Sequence, residues 1–409
     1  MSAVPSWQPD LAELEAIHGA VAEIVKETPV FSLGELSRQV GGEVVLKAEN
    51  LQRTGSFKLR GALSKLRRAG ADSVRGVVAG SAGNHGQALA YAARFHGLPC
   101  TVFMPARAAI PKVEAVAAFG AEVRQQGESV DECVEAARSL AEEEGLLFVH
   151  PFDDLEIVKG QAGVGLELHR QVPDLARVII PVGGGGLISG VAGALKGLRP
   201  EVEIVGVQAA GCAAFGPSLA GGEPITVPQP STIADGIAVK RPGHLTLELV
   251  RAWVDEVVSV DDHAIAEAMV FLVERAKLVT EGAGAAGVAA LAAGAVLPAR
   301  AGKTAVVLSG GNVDASVLAS VINRHQTGIG RRVRLFTRIS DRPGGLAGFL
   351  AALADAGGNV LDVTHIRDGV SLEVEETGVE VLLESRSGSH RQQLLAQLAE
   401  AGYEVEELR

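Results

Sequence analysis

The chain has 409 residues, with 37 Lys plus Arg against 49 Asp plus Glu and a formal charge of −12, a balance that argues against nucleic acid or an anionic membrane as the main partner. It is 47% hydrophobic and holds 50 Gly but only 2 Trp and 11 Phe, so an Ala/Gly/Val-rich α/β interior is expected, and at ~100–200 residues per domain two or three compact units follow. Cys100, Cys133 and Cys212 are scattered, leaving neither a disulfide framework nor a CxxC metal site, and the absence of a leader pattern points to a cytoplasmic protein.

In chain order, the first unusual segment is ENLQRTGSFKLRGA, residues 49–62. Polar residues with Thr54-Gly55-Ser56 precede a helical pattern, which places Lys58 near a helix N-terminus. A solvated lysine on a capped surface helix would satisfy this pattern. So would a Schiff-base lysine, because a positive helix end and partial burial both favour the neutral amine. From about residue 74, short apolar strands alternate with helices that stop at Gly: strands at 77–79, 100–104, 121–124 and 146–149, helices at 85–96, 111–119 and 131–144. This grammar predicts βαβ units and a parallel sheet. Ser81-Ala82-Gly83-Asn84-His85 falls at the first strand-to-helix turn, either as an N-capping serine or as a binding loop.

The same grammar restarts with a strand at 178–182, the run Gly183-Gly184-Gly185-Gly186, a helix from Leu187 and a strand at 203–207. Four residues without Cβ allow backbone N–H groups to converge on an anion, although a plain flexible loop is the alternative. The run lacks both the Lys-Ser/Thr of a P-loop and GxGxxG spacing. A strand at 304–308 leads into Ser309-Gly310-Gly311-Asn312, again at a strand end, where open α/β sheets bind ligands. Residues 178–195 and 282–299 carry no charge, but Pro and Gly break both, so they read as buried core. Two lobes are predicted, a smaller one near 52–150 and the remainder to about 322.

Residues 323–332 are polar and read as a linker. Beyond them Val333, Leu335, Thr337 and Ile339 alternate as a half-buried strand, and Leu346, Phe349, Leu350 and Leu353 share a helical face. Strands at 360–366, 379–384 and 403–408 and a helix around Leu394 complete a βαββαβ, ferredoxin-like module over 333–409.

Together, ENLQRTGSFKLRGA, SAGNHGQALA, PVGGGGLISG, TIADGIAV, VTEGAGAAG and LSGGNVD resemble the threonine/serine dehydratases of the pyridoxal-phosphate fold-type II superfamily (tryptophan synthase β-like) over about residues 20–322. The tail, with ISDRPGGLAGFLAALADAGGNV, is similar to an ACT domain, a small amino-acid-sensing module. The resemblance implies pyridoxal 5′-phosphate as cofactor. Lys58 would hold it covalently and act as base, Phe57 would pack beside it, and Gly183 to Gly186 with Leu187 would bind its phosphate. Asn84 would contact the ring 3-hydroxyl and Ser309 the pyridine nitrogen, while Ser81, Asn84 and His85 would grip the substrate carboxylate. A serine rather than a carboxylate at the ring nitrogen makes a weaker electron sink and favours fast loss of a β-leaving group.

The implied reaction is β-elimination on L-threonine to 2-oxobutanoate and ammonia, with L-serine to pyruvate as well, at the first step of isoleucine biosynthesis. A catabolic dehydratase or a serine racemase-like enzyme is the rival. The order Gly86-Gln87-Ala88 is closer to racemases, but these carry a serine where this chain has Ala82. A non-catalytic sensor and a P-loop-like enzyme are countered by the presence of Lys58 and by the missing Lys-Ser/Thr. Related enzymes place acidic metal ligands after the strand at 203–207; residues 208–214 contain no carboxylate, so no metal is expected there. The ACT resemblance implies an amino-acid effector, isoleucine, near Asp341, Gly344, Gly345, Leu346 and Asn359, and a homo-oligomer, dimer or tetramer.

Overall fold

A computed structural model of the chain describes residues 6–70, 73–367 and 372–408. It divides into two units, one ending at Asp314 and one beginning at Ala315. In the first unit, β1 (Val30–Ser32) and β2 (Val44–Lys47) open a larger sheet. The next four strands, β3 (Val77–Gly80), β4 (Cys100–Met104), β5 (Glu122–Gln125) and β6 (Leu147–Phe148), form a smaller one. The chain then returns to complete the first sheet with β7 (Leu175–Pro181), β8 (Glu203–Ala209), β9 (Glu256–Val260) and β10 (Lys303–Val307).

The smaller sheet, β5-β4-β3-β6, is parallel throughout, as the predicted βαβ units require. The larger, β1-β2-β10-β7-β8-β9, is parallel except where β1 pairs with β2. The smaller lobe is thus an insertion between β2 and β7. Its core also takes Val21, Ile24 and Val25 from upstream of the predicted boundary near residue 52.

Both uncharged stretches are interior. Residues 178–195 run through the end of β7 into the helix Gly186–Leu198, buried from Gly186 to Leu195. The second stretch holds the helix Gly282–Ala292, which packs on β7, β8, β9 and β10. A Cβ on Gly287 would lie 2.6 Å from Val306 Cγ1, so a small residue lets this helix sit close to the sheet. No described helix is long and apolar enough to cross a membrane.

The second unit corrects the expected linker. A helix, Ala315–Gly328, runs through most of residues 323–332, and β11 (Arg332–Ser340) starts at their end. The polar residues misled because this helix is mostly exposed, with Val321 its one buried side chain. The rest follows the predicted order, with helices Gly345–Asp355 and Gly388–Glu400 alternating with β12 (Asn359–Ile366), β13 (Glu376–Glu384) and β14 (Val405–Leu408). Its sheet is antiparallel, in the order β12-β13-β11-β14. Leu335, Phe349, Leu353, Val381, Leu383 and Leu398 form its core.

Four buried charges tie the first unit together. Arg60, in the first turn of the helix Lys58–Ala69, donates to Glu49 Oε2 at 2.8 Å and Oε1 at 2.7 Å, and to Glu167 Oε1 at 2.6 Å and Oε2 at 2.9 Å. Lys47 of β2 donates to the same Glu167, of the helix Leu155–Gln171, and to the Thr28 carbonyl at 2.7 Å. None of the four side chains is more than 1% exposed. Burial alone would raise the Glu49 pKa, but the Arg60 guanidinium holds it below the usual carboxylate value. Arg60→Met is expected to destabilise the fold by about 3–5 kcal/mol, because Glu49 would lose the cation it is hydrogen-bonded to and the two buried carboxylates would share Lys47. Urea unfolding followed by circular dichroism measures this, and a loss below about 1 kcal/mol would show that the cluster does not hold the lobe in place.

Candidate functional site

The predicted loops meet. Lys58 begins its helix, and the N–H of Phe57 just before it donates to the Ser309 carbonyl at 3.1 Å. Ser56 bridges Gly310, and Gly311 N–H donates to the Gly55 carbonyl at 2.8 Å. Gly55, at φ +73°, lies so close to Asn312 that a Cβ would fall 2.2 Å from Asn312 Oδ1. Asn312 Nδ2 donates to Asn84 Oδ1 at 2.7 Å, which attaches the loop of Ser81, Asn84 and His85. Lys58, Asn84 and Ser309 therefore belong to one cluster, built from strand ends of both sheets.

The glycine run follows β7 and opens the helix Gly186–Leu198, with Gly185 at φ +92°. A Cβ on Gly184 would stand 2.2 Å from the ring of Phe152, and one on Gly185 would stand 2.7 Å from Phe215 Cζ. Thr246 Oγ1 donates to the Gly184 carbonyl at 2.7 Å. Asp153 accepts from Thr246 N–H and His244 N–H, both at 3.1 Å, and so fixes the start of the helix His244–Trp253. Among the described residues, no main-chain carbonyl accepts from the N–H groups of Gly183, Gly184 or Gly185. Such unused donors at a helix start suit an anion.

Lys58 Nζ donates to the Pro151 carbonyl at 2.8 Å and lies 5.2 Å from the Phe57 ring centroid. Burial lowers its pKa to about 8, against a partial pull upward from the Glu281 charge. Glu281 shows the opposite shift: burial, then repulsion by Asp235, raises it to about 8, while Asn84, Lys112 and Lys58 draw it back. His85 is pushed down to about 3, by burial first and then by the Lys58 charge, so its ring is neutral. Its Nε2 faces the Val149 carbonyl at 2.9 Å and so carries the proton. The His85 ring is thus engaged inside the protein, and its main-chain N–H lies in the first turn of its helix, where such groups lack intrahelical acceptors. Ser81 Oγ likewise accepts from Gly86 N–H at 3.1 Å and Gly83 N–H at 3.3 Å, a turn-building role.

Comparison with known proteins decides what this arrangement is. The family model described as "Pyridoxal-phosphate dependent enzyme" matches residues 21–310. The chain belongs to the pyridoxal-phosphate dependent enzyme family. It is 42% identical to an L-threonine ammonia-lyase of Thermotoga maritima over 97% of this chain and 98% of that one. Among solved structures it is similar to a threonine deaminase of T.th., at 38% identity and TM-score 0.70 over 75% of this chain and 99% of that one. It is also similar to a maize serine racemase, at 34% identity and TM-score 0.74 over 79% and 99%.

Pyridoxal phosphate is the cofactor, and the residues present fit it. The site offers a buried amine of lowered pKa and a glycine turn with unused N–H donors, packed so closely on Phe152 that only glycine fits at residue 184. Sequence reasoning missed the segment His150-Pro151-Phe152-Asp153, which holds the lysine, covers the glycine run and caps a supporting helix. Its position after β6 was the available signal. It also passed over Glu281, although VTEGAGAAG had been singled out.

The residues singled out in the second unit do not form one site within a chain. Asp341, Gly344, Gly345 and Leu346 follow the end of β11, where Arg367 clasps the Asp341 carboxylate. Asn359 pairs with Glu384, which faces Arg332 at the start of that nine-residue strand. At ~3.3 Å per residue the two groups lie roughly 25–30 Å apart.

A lysine deprotonating near 8 rather than at its ordinary 10.5 makes a definite expectation for cofactor capture. Only the neutral amine condenses with an aldehyde, so the rate at which cofactor-free protein takes up pyridoxal phosphate should rise with pH through a midpoint near 8. Stopped-flow absorbance gives the profile, and a midpoint above 10 would contradict the burial effect.

Proposed function

We propose that this chain is a threonine ammonia-lyase that converts L-threonine to 2-oxobutanoate and ammonia, and accepts L-serine. The observation that carries the reading is the convergence of the Lys58 amine, the glycine turn and the Asn84 and Ser309 loops in one cluster, in a chain similar over nearly its whole length to an L-threonine ammonia-lyase. Bound pyridoxal phosphate supplies the electron sink that makes the substrate Cα–H acidic and lets the β-hydroxyl depart.

The residues supply the rest. Lys58 would anchor the cofactor, and its free amine would take the substrate Cα proton on Nζ; its lowered pKa leaves a usable fraction neutral near pH 7. Gly183, Gly184, Gly185, Gly186 and Leu187 hold the phosphate through their N–H groups. Phe57 would flank the ring, Asn84 would donate to its 3-oxygen, and Ser309 would face its nitrogen. The first-turn N–H groups of Asn84 and His85, with Ser81 shaping the turn, receive the substrate carboxylate. Ala82 presents a methyl group, with no proton to return to the opposite face of Cα, so elimination prevails over racemisation.

The C-terminal unit is the regulatory part of this reading, an ACT module that senses isoleucine. β12 lies at the edge of its sheet and leaves Leu361 44% exposed. Ile366, at the end of β12, is aligned through Gly378 with Arg338, close to the Asp341 turn. Antiparallel pairing of β12 with a second copy would bring one copy's Asn359 towards the other copy's Asp341 turn, so the effector site needs a homo-oligomer. The activity is cytoplasmic and serves isoleucine synthesis.

Lys58→Ala is expected to fold and to lose at least about 1,000-fold in turnover, as for a group that acts as a unit with its cofactor. Borohydride reduction and peptide mapping should find the cofactor on Lys58, and a label on another lysine would falsify the assignment. For regulation, the whole chain is compared with one ending at Asp314 in threonine turnover titrated with isoleucine. An isoleucine effect of about 5–150-fold in apparent affinity is expected for the whole chain alone; an equal response of both would move the effector into the catalytic unit.

A further inference from the structure

The orientation of the Asn84 amide is fixed by a chain of hydrogen bonds that ends on a group unable to flip. Asn312 Nδ2 donates to the main-chain carbonyl of Thr54 at 2.8 Å, so the amide end of Asn312, not its oxygen, faces this side. That same nitrogen donates to Asn84 Oδ1 at 2.7 Å, which fixes the Asn84 oxygen towards Asn312. The Asn84 nitrogen is thereby turned the other way, and it donates to Glu281 Oε1 at 2.8 Å. Amide orientations are assigned from such networks; here the peptide carbonyl of Thr54, which can only accept, sets the direction of the chain, and Glu281 Oε1 takes its far end.

Glu281 has no room to leave this post. It is 5% exposed, its N–H donates to the Gly310 carbonyl at 3.2 Å, and a Cβ on Gly310 or Gly236 would come within 2.5 or 2.9 Å of its Oε1. The charged groups that act on it are Asp235, Lys112 and Lys58. Asn84 Nδ2 carries two hydrogens, and Glu281 uses one, which leaves a single directed donor.

We propose that Glu281 is a positioning residue that acts through Asn84, holding its remaining N–H on the 3-oxygen of the bound pyridoxal phosphate. The proposal rests on the reading that Asn84 faces that oxygen. A directed donor favours the ionised 3-oxygen, so its loss should appear in the cofactor itself before it appears in turnover.

The experiment titrates the visible absorption of the holoenzyme with pH, alongside melting temperature and cofactor dissociation, in Asn84→Ala, Glu281→Leu, Glu281→Gln and Asn312→Ala. Loss of one hydrogen bond to a charged group changes an equilibrium about tenfold or more, so Asn84→Ala, Glu281→Leu and Asn312→Ala should each shift the absorption midpoint by about one pH unit. Glu281→Gln keeps an acceptor oxygen in place and should retain the parent midpoint. Should Glu281→Leu fail to fold, Asn312→Ala at its half-buried position opens the same chain from the other end. A shift in Asn84→Ala with none in Glu281→Leu or Asn312→Ala overturns the positioning role alone. No shift in Asn84→Ala overturns the assignment of Asn84 to the ring, and this proposal with it.

Discussion

The catalytic unit depends on a cation that never meets water. Arg60 lies two residues beyond Lys58, and both of its carboxylate partners are as buried as it is. Two positive and two negative groups nearly cancel, yet taking them out of water is expensive, and their attraction offsets that cost only when the geometry is good. Here each contact comes from a different piece of chain: β2, the 3-10 turn at Glu49, the lysine helix and the helix Leu155–Gln171. A slip of any one would strand a charge. The cluster therefore defines one register for the helix whose first residue is Lys58.

The site in front of that cluster is electrostatically restrained. Burial draws Lys58 downward and Glu281 upward, so both sit near 8, and the two nearby histidines, His85 and His150, are pushed down to about 3 and about 4. His150 Nδ1 accepts from Asp153 N–H at 2.7 Å and Phe152 N–H at 3.2 Å, a use that needs the neutral ring. Both imidazoles thus serve as fixed hydrogen-bonding parts beside the lysine. The segment they organise is the same one that packs Phe152 on the glycine run.

Legibility in the sequence followed locality. The helix from Asn84, the strand Cys100–Met104 and the glycine run at the mouth of β7 were readable, because each carries its own stop or turn signal within a few residues. Lys58 was recognisable as chemistry only once several motifs were taken together. What escaped was set by distant partners. β2 is a four-residue strand whose place in the sheet is fixed by β10, which pairs Val44 with Thr304. Pro151 acts through a peptide carbonyl, which no residue type advertises. Glu281 looks like any helix-capping acid until Asn84, far away in the chain, is seen to donate to it. The polar residues 323–332 misled for the converse reason: an exposed helix with one buried side chain has little to distinguish it from a connector.

The pairing of β2 with β10, and of Phe57 with Ser309, carries a consequence for how the protein is born. Lys58 leaves the ribosome early, but the strand and loop that complete its surroundings are made near the end of the first unit. At ~5–20 residues per second the interval is on the order of tens of seconds. During that time the smaller lobe, whose parallel strands are contiguous in the chain, can form while the larger sheet lacks a central strand. A nascent chain thus passes through a stage with the Lys58 amine in an unfinished environment, before the loop from Ser309 closes against Phe57.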